Sequence, residues 1–184
     1  MKTEVLVLKN MIQVLSLFDG IGVGKLALNA LGIENNYLGA EIDPYAIQIS
    51  ERNGVIPIGD VLEVDASPIK WNLLLGGSPC QSFSALGNRT GFDGKSGIFW
   101  EYVRVLNEGS FDYFLFENVK MKSEWLKIIS DALGVEPILI NSADFSAQSR
   151  SRYYWTNIPI IPWESGGGPS LASILEENDN YLKE

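Results

Sequence analysis

The sequence contains no histidine and only one cysteine, and these two scarcities exclude several classes of enzyme. A chain without histidine lacks the most common general base and the most common metal ligand. A single cysteine excludes an internal disulfide and a zinc cluster built from thiolates. A hydrolase with a Ser-His-Asp triad and a zinc-dependent deaminase are therefore both excluded, and we expect no metal site.

Basic residues are also scarce, because 14 lysines and arginines stand against 23 aspartates and glutamates, for a net charge of −9. On its own this balance disfavours a simple nucleic-acid-binding protein. The cations are unevenly placed, however, since residues 89–152 hold eight of them, residues 1–88 five and residues 153–184 one. The charge pattern is compatible both with contact to a polyanion and with an ordinary surface of mixed charge.

Long apolar runs are missing as well. No run approaches the roughly 20 residues that cross a bilayer, and charges interrupt the first 13 residues, where a signal peptide needs an apolar segment. We therefore expect a soluble, cytoplasmic protein. The length of 184 residues and the apolar fraction of 46% fit one globular domain, to which we assign residues 1–163. Residues 164–184 are predicted to form a linker and a short C-terminal helix.

Short apolar runs rich in β-branched and aromatic residues alternate with helical patterns along most of the chain. This alternation predicts an α/β fold with a doubly wound, mostly parallel sheet and helices on both faces. The predicted strands are residues 12–18, 37–42, 55–58, 71–75, 113–116, 137–141 and 153–156. The predicted helices are residues 23–31, 44–52, 98–107, 124–133 and 171–177, with Asp43, Ser123 and Ser170 as N-terminal caps.

Three successive strands are followed by residues suited to binding a nucleoside. In a doubly wound sheet the ligand binds at the carboxyl ends of the strands, where the first strand lies beside the fourth. The glycines of residues 19–22 allow a close backbone approach at a helix N-terminus. Glu41 after the second strand could accept both hydroxyls of a ribose, and Asp60 after the third could contact an adenine amino group. Each acid alone is as readily a helix cap or a solvated loop residue.

Two further residues suggest a reaction. Cys80 lies in a polar loop, residues 76–84, near helix N-termini that favour a thiolate, although a lone cysteine is more commonly a small buried apolar residue. Glu117 directly follows the apolar run 113–116 at the end of the fifth strand, so partly apolar surroundings are expected to raise its pKa and let it donate a proton. A thiol nucleophile, a protonated acid and a nucleoside ligand form a specific combination.

Six segments carry a resemblance to a known family. They are SLFDGIGVG (16–24), AEID (40–43), GDV (59–61), GGSPCQSFS (76–84), FENV (116–119) and QSRSRYYW (148–155). In order and spacing they resemble the motif series of the DNA cytosine-C5 methyltransferases, over roughly residues 12–160. SLFDGIG and SRSRYYWTNIP look most similar to the animal de novo branch, whereas PCQSFS is the more common bacterial spelling.

The resemblance implies a Rossmann-like class I methyltransferase that transfers a methyl group from S-adenosylmethionine to C5 of cytosine in DNA. By this resemblance, the residues that line the cofactor site are Phe18, Asp19, Gly20, Ile21, Gly22, Val23, Glu41, Asp60, Val61 and Pro79. Cys80 is implied as the nucleophile that adds to C6, and Glu117 as its partner. Arg150 and Arg152 are implied to serve the flipped base.

The sequence departs from the family's pattern near its C-terminal end. No segment resembles the target-recognition region or the late motif that completes the cofactor pocket, although residues 169–176 are similar to the penultimate motif. We therefore expect a second chain, or a homo-oligomer, to supply a recognition surface for double-stranded DNA. A minimal enzyme, a catalytically silent S-adenosylmethionine-binding regulatory subunit and a methyltransferase acting on RNA remain alternatives. In a prokaryotic or viral source the expected location includes the nucleoid.

Overall fold

The computed structural model describes residues 11–79 and 98–174, which form one seven-stranded sheet with helices on both faces. The strands are β1 (Ile12–Leu17), β2 (Asn35–Ala40), β3 (Ile56–Gly59), β4 (Lys70–Gly76), β5 (Ser110–Val119), β6 (Ile138–Asn141) and β7 (Ser151–Thr156). The helices are α1 (Val23–Ala30), α2 (Pro44–Arg52), α3 (Phe99–Glu108), α4 (Ser123–Leu133) and α5 (Leu171–Ile174). Two short 3-10 helices, Val61–Glu63 and Ser142–Asp144, were not predicted.

The strand order is β3-β2-β1-β4-β5-β7-β6. The first five strands are parallel, and β7 lies antiparallel between β5 and β6. This arrangement confirms the predicted α/β class. Because β1 pairs with β2 on one side and β4 on the other, the strand order reverses at β1, and the carboxyl ends of these strands mark the expected ligand site.

Two apolar clusters hold the helices against the sheet. The larger lies under α3 and α4, where Phe99, Tyr102 and Ile129 pack on the strand residues Phe116 and Trp155. The smaller lies under α1, where Leu28 packs with Val14, Tyr37, Val55 and Leu73. Since the central strands are covered on both faces, they appear in the sequence as nearly continuous apolar runs.

Helix ends test the predicted caps directly. Asp43 caps α2 as predicted, because its Oδ1 accepts hydrogen bonds from the backbone N–H groups of Tyr45 and Ala46. Ser170 Oγ likewise accepts from Ser173 N, at 3.2 Å. The prediction for Ser123 was wrong: Lys122 occupies the N-cap position, and Ser123 is already the first helical residue. Residues 175–177 of the last predicted helix lie outside the described residues.

Strand β5 is longer than predicted. Its pairing with β7 runs from Leu115 to Val119, so Glu117 and Asn118 lie within the strand and not in the loop after it. The extension has a tertiary cause, since β7 supplies hydrogen-bonding partners beyond the apolar run that marked the strand in the sequence.

The segment after β7 is held against the rest of the fold. Asp144 accepts hydrogen bonds from Trp163 Nε1 at 3.0 Å and from Gly166 N at 2.9 Å. The domain boundary at residue 163 stays a prediction. None of the helices within residues 11–79 and 98–174 is long and apolar enough to cross a membrane. The same residues contain no group of three or more acidic, histidine or cysteine side chains placed to hold a metal ion.

Candidate cofactor and base site

The turn between β1 and α1 has an unusual backbone. Phe18 has a φ of 57°, the only positive value among the described non-glycine residues, and Gly20 and Gly22 have φ values of 60° and 79°. A methyl group added at Gly22 would lie 2.8 Å from the Val55 side chain, so glycine also permits the close packing of α1. Backbone strain of this kind is typical of ligand sites, and Phe18 lines the cleft described below.

Glu41 connects this turn to the end of β2. Its Oε2 accepts a hydrogen bond from Gly20 N at 2.8 Å, and its Oε1 accepts from Ile42 N at 2.8 Å and Asp43 N at 2.9 Å. A carboxylate offers about four acceptor positions. Three are used by the backbone, so one is left for a ligand donor, which suits one ribose hydroxyl and not both as predicted from the sequence.

A cleft of about 110 Å³ opens at the carboxyl ends of β1, β2 and β3. Its walls are mostly apolar, with carboxylates from Glu41 and Asp60, and Asp60 also accepts a hydrogen bond from Leu62 N at 3.0 Å. The lining residues are Phe18, Ala40, Glu41, Ile42, Asp60, Val61, Pro79 and Ile98. Apolar walls with a few fixed acceptors suit a flat ring that bears a sugar, so the lining residues fit the adenosyl part of S-adenosylmethionine.

Five of the ten predicted cofactor residues line the cleft, namely Phe18, Glu41, Asp60, Val61 and Pro79. Gly20 contributes through its N–H bond to Glu41, whereas Asp19, Ile21, Gly22 and Val23 do not line the cleft. Sequence reasoning missed Ala40, Ile42 and Ile98. Two of these lie inside the AEID motif and were detectable there, but Ile98 is brought to the cleft by the tertiary fold.

Asp19 is not among the residues that line the cleft. Its Oδ1 accepts a hydrogen bond from the buried Tyr37 hydroxyl at 2.8 Å, and its Oδ2 is buried without a hydrogen-bond partner. Burial raises the pKa of Asp19, while the hydroxyls of Ser16 and Tyr37 act in the opposite direction. Burial also raises the pKa of Tyr37. The Asp19 carboxylate therefore connects the turn to β2 through the Tyr37 hydroxyl.

On the other side of β4, Glu117 and Arg152 form an ion pair between β5 and β7. Arg152 Nε lies 2.9 Å from Glu117 Oε1, but its N–H is not aligned with that oxygen and makes no directed hydrogen bond. Burial raises the pKa of Glu117, and the charges of Arg152 and Arg150 partly oppose this shift. Arg150 is exposed on the loop that leads into β7. Glu117 is therefore a partly desolvated acid next to two cations.

The end of β4 lies against this acid. A methyl group added at Gly77 would lie 3.0 Å from Glu117 Oε2. The buried Asn118 side chain donates to both the backbone oxygen and Oγ of Ser78, each at 3.3 Å. The sequence predicted no role for Asn118, which holds the start of the cysteine loop through Ser78. Cys80 itself lies outside the described residues.

Comparison with known proteins agrees with this architecture. A family model described as C-5 cytosine-specific DNA methylase matches residues 12–159. The chain is 38% identical to the orphan methyltransferase M.Rho11sI of Bacillus phage rho11s, over 94% of this chain and 35% of that protein. It is 37% identical to the orphan methyltransferase M.SPRI of Bacillus phage SPR, over 78% of this chain and 37% of that protein.

A third relative is the type II methyltransferase M.HaeII of Haemophilus aegyptius, which is 32% identical over 91% of this chain and 58% of that protein. The chain thus spans between about a third and three fifths of the length of these relatives. They come from phages and a bacterium, and the similarity to the animal de novo branch stays a prediction. The matched motifs, the strand order and the family model together show that this chain belongs to the C-5 cytosine-specific DNA methylase family.

Proposed function

We propose that this chain forms the catalytic core of a DNA cytosine-C5 methyltransferase that uses S-adenosylmethionine and forms a covalent bond between Cys80 and C6 of a flipped cytosine. The observation that carries the proposal is the position of residues 77–79. Gly77 lies against Glu117, and Pro79 lines the cleft that fits an adenosyl group. In the sequence Cys80 directly follows Pro79 and is three residues from Gly77, which supports its assignment as the nucleophile.

The cofactor side of the site acts by binding and orientation. The free acceptor position of Glu41 suits a ribose hydroxyl, and Asp60 suits the adenine amino group. Phe18, Ile42 and Val61 provide apolar contacts for the ring. When bound, S-adenosylmethionine supplies an electrophilic methyl group on a sulfonium.

The base side acts on a cytosine that has left the DNA stack, which costs a few kcal/mol of unstacking. Cytosine C5 is a weak nucleophile, so the Cys80 thiolate first adds to C6 and pushes electron density toward N3, O2 and C5. Glu117, whose pKa burial raises, donates a proton to N3 as this charge develops. Arg152 binds O2 and stabilises the charge there. Once C5 carried the methyl group, a base would remove the C5 proton, the bond between Cys80 and C6 would break with its electron pair returning to the thiolate, and N3 would return its proton to Glu117.

We also propose that a second chain or an oligomer contributes to recognition of double-stranded DNA. The side of β5 that carries Glu117 also carries Tyr113 and Leu115, because alternate residues of a strand face the same way. Tyr113 is 47% exposed and Leu115 is half-buried. An incompletely covered face beside the proposed base site supports a contact with further polypeptide.

The direct test is transfer of a tritiated methyl group from S-adenosylmethionine to duplex DNA, with Cys80→Ser as the inactive control. The assay is run on the chain alone and on the chain co-expressed with neighbouring reading frames. We expect 5-methylcytosine in DNA and a covalent complex that Cys80→Ser abolishes. Cofactor binding without transfer in any preparation would support a silent regulatory subunit instead. Transfer to tRNA but not to DNA would support the RNA alternative.

A further inference from the structure

Helix α3 and the residue before it contribute to the cofactor cleft in two separate ways. Ile98, immediately before the helix, lines the cleft directly. Less than two turns later, Arg104 reaches the 3-10 helix that follows Asp60. Its Nη2 donates to Val61 O at 3.0 Å, and its Nη1 donates to Val64 O at 3.1 Å. One guanidinium therefore holds both ends of the turn that carries Val61 into the cleft.

Two carboxylates orient this guanidinium from its own helix. Glu101 accepts from Arg104 Nε at 2.7 Å, and Glu108 accepts from Nη1 at 2.6 Å. The Arg104 side chain is only 30% exposed. A planar guanidinium can make these four contacts at once, whereas a lysine ammonium is a single point donor. The arrangement is thus specific to arginine and not only to positive charge.

The turn that Arg104 holds is a short 3-10 helix of three residues. Besides the bond from Leu62 N to the Asp60 carboxylate, it has two backbone hydrogen bonds, from Glu63 N to Asp60 O and from Val64 N to Val61 O. Hydrogen-bond geometry is poorer in a 3-10 helix than in an α-helix, so the bonds from Arg104 add to a weak local set. We infer that Arg104 is a positioning residue of the cofactor site, which holds Asp60 and Val61 in place for the adenine ring. This inference rests on the proposed function, because it takes the cleft to be the adenosyl site.

The test uses the full 184-residue chain and the affinity for S-adenosylhomocysteine, measured by calorimetry. Arg104→Lys keeps the charge beside Glu101 and Glu108 but loses at least one carbonyl contact. We expect its affinity to fall about tenfold, as expected for one lost charge-assisted hydrogen bond. The KM for S-adenosylmethionine should rise with kcat nearly unchanged. Lys127→Met, which removes an exposed ion pair with Asp131 on α4, is the matched control and should leave the affinity unchanged.

A role in stability alone is separated by a double-mutant cycle with Asp60→Asn. If Arg104 acts through Asp60, the losses in affinity of the two single variants are not additive. If Arg104→Lys does not fold, a Glu101→Gln/Glu108→Gln variant, which only frees the guanidinium, serves instead. For this variant we expect a loss of about two- to threefold, from weakened orientation of the same donors.

Three results would contradict the inference or its basis. A lower melting temperature with unchanged affinity in both variants would overturn the role of Arg104 while leaving the proposed function intact. Losses of affinity in Arg104→Lys and Asp60→Asn that simply add in the double variant would also overturn the role of Arg104 and leave the proposed function intact. A wild-type chain that binds no S-adenosylhomocysteine would overturn the cleft assignment, and with it both proposals.

Discussion

The cofactor side and the base side of this site are stabilised in different ways. On the cofactor side, carboxylates are bound by neutral backbone N–H groups. Glu41 accepts from three of them, and Asp60 accepts from Leu62 N two residues ahead. On the base side, Glu117 faces the side chain of Arg152 across two antiparallel strands, and part of the pair is removed from water.

The difference has consequences for chemistry. Acceptors fixed by backbone amides keep one geometry, which suits the binding and orientation of a ligand. A partly desolvated carboxyl whose pKa is raised by burial and lowered by cations can hold or release a proton. We therefore expect changes on the base side to alter the rate and its pH dependence, and changes on the cofactor side to alter affinity.

The largest expected effect is that of Glu117→Gln. The amide can neither donate the required proton in the same way nor pair with Arg152, so methyl transfer should fall by about 10²- to 10⁴-fold. Affinity for S-adenosylhomocysteine should stay within about twofold of wild type. Parallel measurements of single-turnover rate and calorimetric affinity check this. A comparable loss of affinity would show that the two sides are not separate.

Next in size is Arg152→Met, which removes a donor for O2 and the main cation beside Glu117. The rate should fall by about 10²-fold, as for loss of one oxyanion donor. The reaction needs protonated Glu117, so the rate declines as the pH rises through its pKa. Because the Arg152 charge lowers this pKa, its removal raises it, and the alkaline limb of the pH–rate profile moves to higher pH.

Arg150→Met is the variant to compare with Arg152→Met in the pH–rate profile. Its charge also lowers the pKa of Glu117, so the limb should move in the same direction, with a smaller loss of rate. A limb that stays in place in both variants would mean that a different group titrates.

On the cofactor side, Glu41→Gln should weaken binding without moving the pH profile. The amide has one oxygen for the N–H groups of Gly20, Ile42 and Asp43, and its NH₂ group faces a backbone donor. We expect the affinity for S-adenosylhomocysteine to fall about tenfold. A shifted alkaline limb in this variant would contradict the separation of the two sides.

The smallest effect on function is expected for Tyr37→Phe. Loss of the hydroxyl leaves Asp19 Oδ1 without its Tyr37 hydrogen bond in a buried place. The free energy of unfolding in urea should fall by about 1–3 kcal/mol. Since Asp19 does not line the cleft, affinity for the cofactor should change less than in Glu41→Gln. A larger loss of cofactor affinity in Tyr37→Phe than in Glu41→Gln would indicate that Asp19 contacts the ligand.

Much of the cofactor side was predictable from the sequence, because its contacts join residues close in the chain. Asp43 caps the helix that begins at Pro44, and Glu41 bonds to the next two residues. Local contacts can also mislead, as Ser123 shows. It has a capping side chain, but its backbone is already helical, so Lys122 takes the cap position.

Other contacts had no local signal. The bonds from Asn118 to Ser78 and from Arg104 to Val61 each cross about 40 residues of chain, and the bond from Tyr37 to Asp19 joins β2 to the turn after β1. These contacts depend on the order and register of the strands, so they can be predicted only when both are known. This is why no role was predicted for Asn118 or Arg104, and why the bond between Asp19 and Tyr37 was not expected.

The sequence by itself determined the alternation of strands and helices, the glycine turn and the acids at the strand ends, since these depend on hydrogen bonds and backbone preferences within a few residues. Only the tertiary structure decided that β7 inserts antiparallel beside β5, which lengthens β5 and brings Arg152 to Glu117. The pKa of Glu117 follows from that pairing, because burial and nearby charge are properties of the assembled sheet.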